Sequence, residues 1–213
     1  MARGGVGAEG RALYGRAMGE LRDAARTRKK IMEAARDEFA ARGFAGARIE
    51  SIARRAGFAK QLLYHYFPSK EALFEATLES KFRQHRAAMG EGEGPGAAFV
   101  QRFRTALADP VWVRFLTWEA AEHQGADRII AEEARRESVA RQMAAVAERQ
   151  ARGELPADLP TDLLVLAIAA LAVYPLAYGQ ITEMVAGRAP GDPEFQARWT
   201  AFLDDLARRI ARP

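Results

Sequence analysis

Within one short stretch, Lys60, Gln61, Leu62, Tyr64 and His65 carry side chains suited to a nucleic-acid duplex. A glutamine amide donates and accepts, so Gln61 can pair at two points with an adenine edge, and a leucine such as Leu62 can pack on a thymine methyl group. Lys60, Tyr64 and His65 suit phosphate oxygens, whose contacts set register rather than sequence preference. Lys70 falls where a new helix exposes free N–H groups, a further phosphate site. Singly, each residue is what a solvated helix face ordinarily carries; together they lie in a locally basic region. Residues 1–70 carry 15 Lys+Arg against 7 Asp+Glu, a balance of +8, whereas residues 71–213 balance at −4. A general preference for arginine does not reverse sign along a chain, so one end is matched to a polyanion and the other is not.

These side chains need a helix that turns them all outward. At about 100° per residue, Leu63, Tyr66 and Phe67 share one arc and Gln61 and His65 lie opposite. The spacing predicts a helix over 60–67, ended by Pro68, which cannot continue the hydrogen-bond ladder. Before it, Ile49, Ile52, Ala53 and Ala56 recur at i, i+3, i+4 and i+7 up to a turn at Gly57. A first helix over 27–42 carries Ile31, Ala35 and Phe39 on one face, with Gly43 as its C-terminal cap. Ser69 is placed to cap a fourth helix over 70–89, which turns Leu73, Phe74, Leu78 and Phe82 inward. Two short helices joined at a glycine and packed on a third form a helix-turn-helix, which offers its last helix to the major groove.

Strand-like alternation is almost absent, so the expected fold class is all-α, with about nine helices. The remaining ones fall near 97–108, 111–124, 127–152, 162–187 and 194–211. Residues 1–22 read as a mobile arm, 23–89 as the helix-turn-helix domain with its connecting helix, and 97–213 as a second helical domain. With no cysteine, and with His65, His85 and His123 scattered, neither a disulfide nor a metal site is expected. No nucleophile–base arrangement or phosphate-binding glycine loop is present, and Glu119, Glu122 and His123 read as an ordinary polar set. An enzyme and a cofactor are therefore not expected. The longest apolar run, Leu163 to Tyr178, is broken by Pro175 and falls short of the roughly 20 residues of a membrane span. The N-terminus carries no secretory pattern, so a cytoplasmic protein without a membrane partner is expected.

The run Arg54-Arg-Ala-Gly-Phe-Ala-Lys-Gln-Leu-Leu-Tyr-His-Tyr-Phe-Pro-Ser-Lys-Glu-Ala-Leu73 resembles the signature of TetR-like transcriptional regulators. Ile31-Met-Glu-Ala-Ala-Arg-Asp-Glu-Phe-Ala-Ala-Arg-Gly-Phe44 is similar to the first helix of that family. The resemblance implies a nine-helix protomer, a homodimer on a palindromic operator, and an effector pocket in the C-terminal part. It assigns Tyr64 and His65 to the recognition helix and Lys70 to a phosphate. Three positions depart from the family pattern. Ala47 stands where threonine commonly caps the second helix, with Arg48 beside it as a replacement phosphate contact. Ala59 stands where serine opens the third helix, and Gln61-Leu62 replace a glycine-threonine pair. The operator sequence therefore cannot be borrowed from relatives.

In the C-terminal part, the helices near 162–187 and 194–211 are the pair that in TetR-like proteins forms a four-helix bundle with a second copy. Apolar residues wrap nearly the whole first helix, which Pro175 should kink. Trp112, Phe115, Trp118 and His123 on one helix, and Tyr174 and Tyr178 on another, are the candidate lining of an unknown small-molecule effector's pocket. The whole reads as a sequence-specific regulator, most simply a repressor released by that effector. A helical enzyme and a non-specific architectural DNA binder are the competing classes, separated by turnover and by equal affinity for random DNA.

Overall fold

The computed structural model describes residues 8–84, 94–122 and 129–211, all of its regular structure being helical. In chain order the helices are α1 (Ala8–Gly46), α2 (Ile49–Ala56), α3 (Lys60–Tyr66), α4 (Lys70–Gln84), α5 (Ala97–Ala108), α6 (Pro110–Glu122), α7 (Glu132–Ala151), α8 (Thr161–Ala177), α9 (Gly179–Ala186) and α10 (Pro193–Ile210). Local signals explain most of the boundaries. Gly57 takes the left-handed conformation that closes α2 (φ 79°), and Phe58 N donates to Ala53 O at 3.0 Å. The Ser69 hydroxyl accepts from Ala72 N at 3.1 Å and so caps α4. Pro110 occupies the first turn of α6, where no N–H is needed, and Asp109 accepts from Trp112 N at 3.1 Å.

Beyond shifts of a few residues at helix ends, two elements differ from expectation. Residues 8–22, anticipated as an arm, continue α1 as helix. The single kinked helix expected over 162–187 is two helices, bent by 88° at Tyr178 rather than at Pro175, which makes ten helices among the described residues. Proline 175 lacks the N–H that Leu171 O would accept, and the Trp199 indole of α10 donates to that carbonyl instead, at 3.3 Å. The ladder thus survives the proline and fails three residues later, where the buried Thr182 hydroxyl donates to Pro175 O at 3.0 Å. No single helix among the described residues is long and apolar enough to cross a membrane; α8 and α9 reach that length only as this bent pair.

The apolar side chains gather into two cores. The first unites Ile31 and Phe39 of α1, Ile52 of α2, Leu63 of α3 and Leu73, Phe74 and Leu78 of α4 with Trp112 and Phe115 of α6. Its rings interlock: Phe39 meets Phe74 edge-on at 4.9 Å, and Phe74 stacks on Phe115 at 5.0 Å. The second core joins Phe99 and Phe103 of α5, Val146 of α7, Leu164 and Ile168 of α8, and Phe195 and Leu203 of α10. Asp109, at the head of α6, is a polar tie beside the first core. It accepts from Lys81 of α4 and lies 3.7 Å from Arg36 of α1. Burial pushes its carboxyl pKa up, but Lys81, the Trp112 amide and Arg36 outweigh that and hold it below the ordinary carboxylate value.

Candidate nucleic-acid interface

The short helix α3 turns Leu63 into the first core and leaves Lys60, Gln61, Tyr64 and His65 exposed, with Leu62 half-buried between them. Tyr66 is half-buried, and Phe67 is buried although it lies just beyond the helix in extended backbone (φ −139°). Arg28 of α1 covers the Phe67 ring at 5.1 Å, tying α1 to the end of α3. One helix therefore has a fixed back and a polar front, which a reading element needs.

The front has pairings that the pattern of residues did not reveal. Lys60 Nζ donates to Glu50 Oε1 of α2 at 2.6 Å, and this bond holds the Glu50 carboxyl below its usual pKa and raises that of Lys60. Lys60 also lies 5.7 Å from the Tyr64 ring. Lys70 Nζ donates to Ala45 O at 3.3 Å and sits over the Phe44 ring at 4.6 Å, so it touches the α1–α2 turn as well as facing outward from the first turn of α4. Arg48 is exposed at the N-terminus of α2. The N-cap of α2 is Arg48 rather than the expected Ala47, and neither Arg48 nor Ala59, the N-cap of α3, makes a side-chain cap bond. Glu38 of α1, almost fully buried, takes over part of that work by accepting from Arg48 N at 3.4 Å.

Residues 31–77 match the profile of bacterial regulatory proteins of the tetR family, and residues 97–209 match that of the tetracycline repressor-like C-terminal domain. The chain belongs to the TetR family. It is 34% identical over 167 residues to the HTH-type transcriptional repressor SCO4008 of Streptomyces coelicolor, covering 78% of this chain and 86% of that protein. It is 30% identical over 208 residues to the repressor NicS of Pseudomonas putida, covering 88% and 93% respectively. Among solved structures, the transcriptional regulator SCO4942 of Streptomyces coelicolor superposes with a TM-score of 0.71 at 26% identity, covering 88% of this chain and 99% of that one. The protein is thus a TetR-family DNA-binding regulator of transcription, and the α3 front belongs to that family's helix-turn-helix.

Of the six residues expected to line an effector pocket, the five that the structure describes are not gathered at one place. Trp112 and Phe115 are buried in the first core, stacked at 5.4 Å under the TetR-family reading head. They form core because α6 packs along α1, a contact that periodicity within α6 cannot reveal. Trp118 is half-exposed, its ring edge beside Gly43 of α1. Tyr174 and Tyr178 pair at 4.9 Å far along the chain, both half-exposed. His123 lies outside the described residues, as does His85.

Sequence reasoning missed Glu122. Its Oε2 accepts from Phe44 N at 2.7 Å, and both carboxylate oxygens lie 3.4 Å from Ala45 N. No local signal marks it, because donor and acceptor are 77 and 78 residues apart.

Proposed function

We propose that this TetR-family protein is a homodimeric repressor that reads a two-fold symmetric operator with α3 and is released by a small-molecule effector. The observation that carries the DNA half is the polar front of α3, with Gln61 and Leu62 set to choose bases and Tyr64, His65, Lys60, Lys70 and Arg48 set to hold phosphates. The named repressors of similar sequence favour repression over activation.

Dimerisation is supported by a surface that water does not favour. On α8, α9 and α10, Leu163, Leu166, Ile181, Met184, Val185 and Phe202 are exposed, Met184 at 81% and Val185 at 83%. Exposed apolar side chains in this number mark a contact surface, and a two-fold contact would set two α3 helices to read two half-sites. Ile181, Val185 and Phe202 also line a groove of about 630 Å³ between α8, α9 and α10, together with Tyr174, Phe195 and Trp199 and with Arg198 at its side. The effector half rests on the helical C-terminal part; a neighbour of the same fold, FadR of Bacillus subtilis, was solved in complex with stearoyl-CoA. An effector that binds the released state more tightly shifts the population away from DNA.

Selection of bound duplexes from a random pool by the purified protein tests the first half. A two-fold symmetric site with two protomers bound is expected; a single asymmetric half-site, or equal affinity for random duplex at physiological salt, would sink it. The effector half is tested by screening small molecules for release of that duplex.

A further inference from the structure

The turn between α1 and α2 is held by a helix from the other end of the protein. Gly43 interrupts α1 with a left-handed φ of 68°, and the N–H groups of Phe44 and Ala45 follow directly after this break. Glu122, at the C-terminal end of α6, accepts there, at 2.7 Å from Phe44 N and 3.4 Å from Ala45 N. Trp118, one turn earlier on the same face of α6, closes on Gly43 from the side. A Cβ added at Gly43 would lie 2.3 Å from Glu122 Oε1 and 3.1 Å from the Trp118 ring. From the opposite direction Lys70 donates to Ala45 O and covers the Phe44 ring. The turn is therefore fixed on its donor side by α6 and on its acceptor side by α4, and it leads directly into Arg48 and α2, on which α3 is mounted.

We infer that Glu122 is a positioning residue for DNA binding: its carboxylate caps the α1–α2 turn in trans and thereby sets the angle at which α2 and α3 meet the duplex. Charge makes the inference sharp. A carboxylate beside a basic reading head repels phosphate, so removing it should tighten DNA binding if it did nothing else. A carboxylate that holds the turn should weaken binding when removed, because an acceptor lost from two N–H groups frees the element that carries the contacts. The two accounts predict opposite signs. Gly43 follows from the same geometry, since only a residue without Cβ leaves room for the carboxylate and tolerates the backbone.

The test uses the full-length protein with two probes, the duplex recovered by selection and a random-sequence duplex, so that it does not depend on the operator alone. Glu122→Ala is expected to bind both about tenfold more weakly, the equivalent of one charge-assisted hydrogen bond. The slope of log affinity against log salt is expected to stay unchanged, since no phosphate contact is lost. Amide exchange at Phe44 and Ala45 is expected to accelerate while exchange in the second core stays as in the parent. Glu122→Gln, which keeps the shape and one acceptor oxygen, should fall between parent and Glu122→Ala, and it serves should the alanine variant fold poorly. Gly43→Ala should also weaken binding, and the Gly43→Ala/Glu122→Ala pair should lose less than the product of the two single losses, because the collision is relieved. Binding by Glu122→Ala and Glu122→Gln as tight as or tighter than the parent, or unchanged exchange at Phe44 and Ala45, would overturn the inference.

Discussion

Both cores bury aromatic rings among aliphatic side chains, yet they finish their surfaces differently. Phe39, Phe44, Phe74, Trp112 and Phe115 interlock with centroids 4.9–6.1 Å apart, and the helices around them hide nearly all of that ring surface. Around the second core, α8 is apolar on every side, so packing one face inward leaves Leu163 and Leu166 outside, and α9 adds Met184 and Val185. One region closes on itself and borrows α6 to do so. The other buries its inner face and presents another apolar surface outward. The difference teaches that the boundary between the reading head and the C-terminal part of the chain is not a boundary between cores.

The largest test of that comparison is Phe115→Ala. It removes a ring buried to 99% from the meeting point of α1, α4 and α6, and should cost about 3–5 kcal/mol in denaturant unfolding. The signal should come from the reading head although the residue follows it in sequence; a loss under about 1 kcal/mol would mean that α6 is not part of the first core. Next, Met184→Glu with Val185→Glu places charge on the open apolar face. Sedimentation should show a folded monomer, and affinity for the selected two-fold site should fall about a hundredfold, with half-site affinity retained. A dimer that survives both charges would move the contact elsewhere.

Lys70→Ala should weaken every duplex by about tenfold and flatten the salt slope by about 0.9, whereas Gln61→Ala should change which duplexes are preferred. An unchanged slope would assign Lys70 wholly to the Ala45 carbonyl and the Phe44 ring. The smallest effect concerns Arg102 of α5, partly buried against the second core. Its Nε is shut off from solvent without a hydrogen-bond partner, and burial lowers the guanidinium pKa. Arg102→Met keeps the packing stem and removes the orphaned donor, so it should raise stability by about 0.5–1 kcal/mol, or about 1–4 °C in Tm. A lower Tm would show that the guanidinium contributes to the fold.

Much of the reading head was legible because its signals are local. Gly57, Pro68 and Ser69 act within four residues of where they stand, and the wheel that buries Leu63 depends on one helix alone. The limits were equally physical. Phe67 belongs to the buried face but not to the helix, since the residue before a proline is pushed to extended backbone. The bend fell at Tyr178 rather than Pro175 because Trp199, 28 residues from the carbonyl it serves, repaired the ladder at the proline. Aromatic spacing on α6 predicted a cavity wall and gave core for Trp112 and Phe115, because periodicity says which face is apolar and not what covers it.

The sequence by itself therefore determined the all-α class, the helix-turn-helix with its polar front, and the reversal of charge along the chain, since each depends on propensity, caps and composition over a few turns. Only the tertiary structure decided that α6 belongs to the core of the reading head, that α8 and α9 meet at 88°, and that Glu122 holds the turn at Phe44. Those features join groups tens of residues apart, and their free energy comes from contacts that exist only after the chain has folded back on itself.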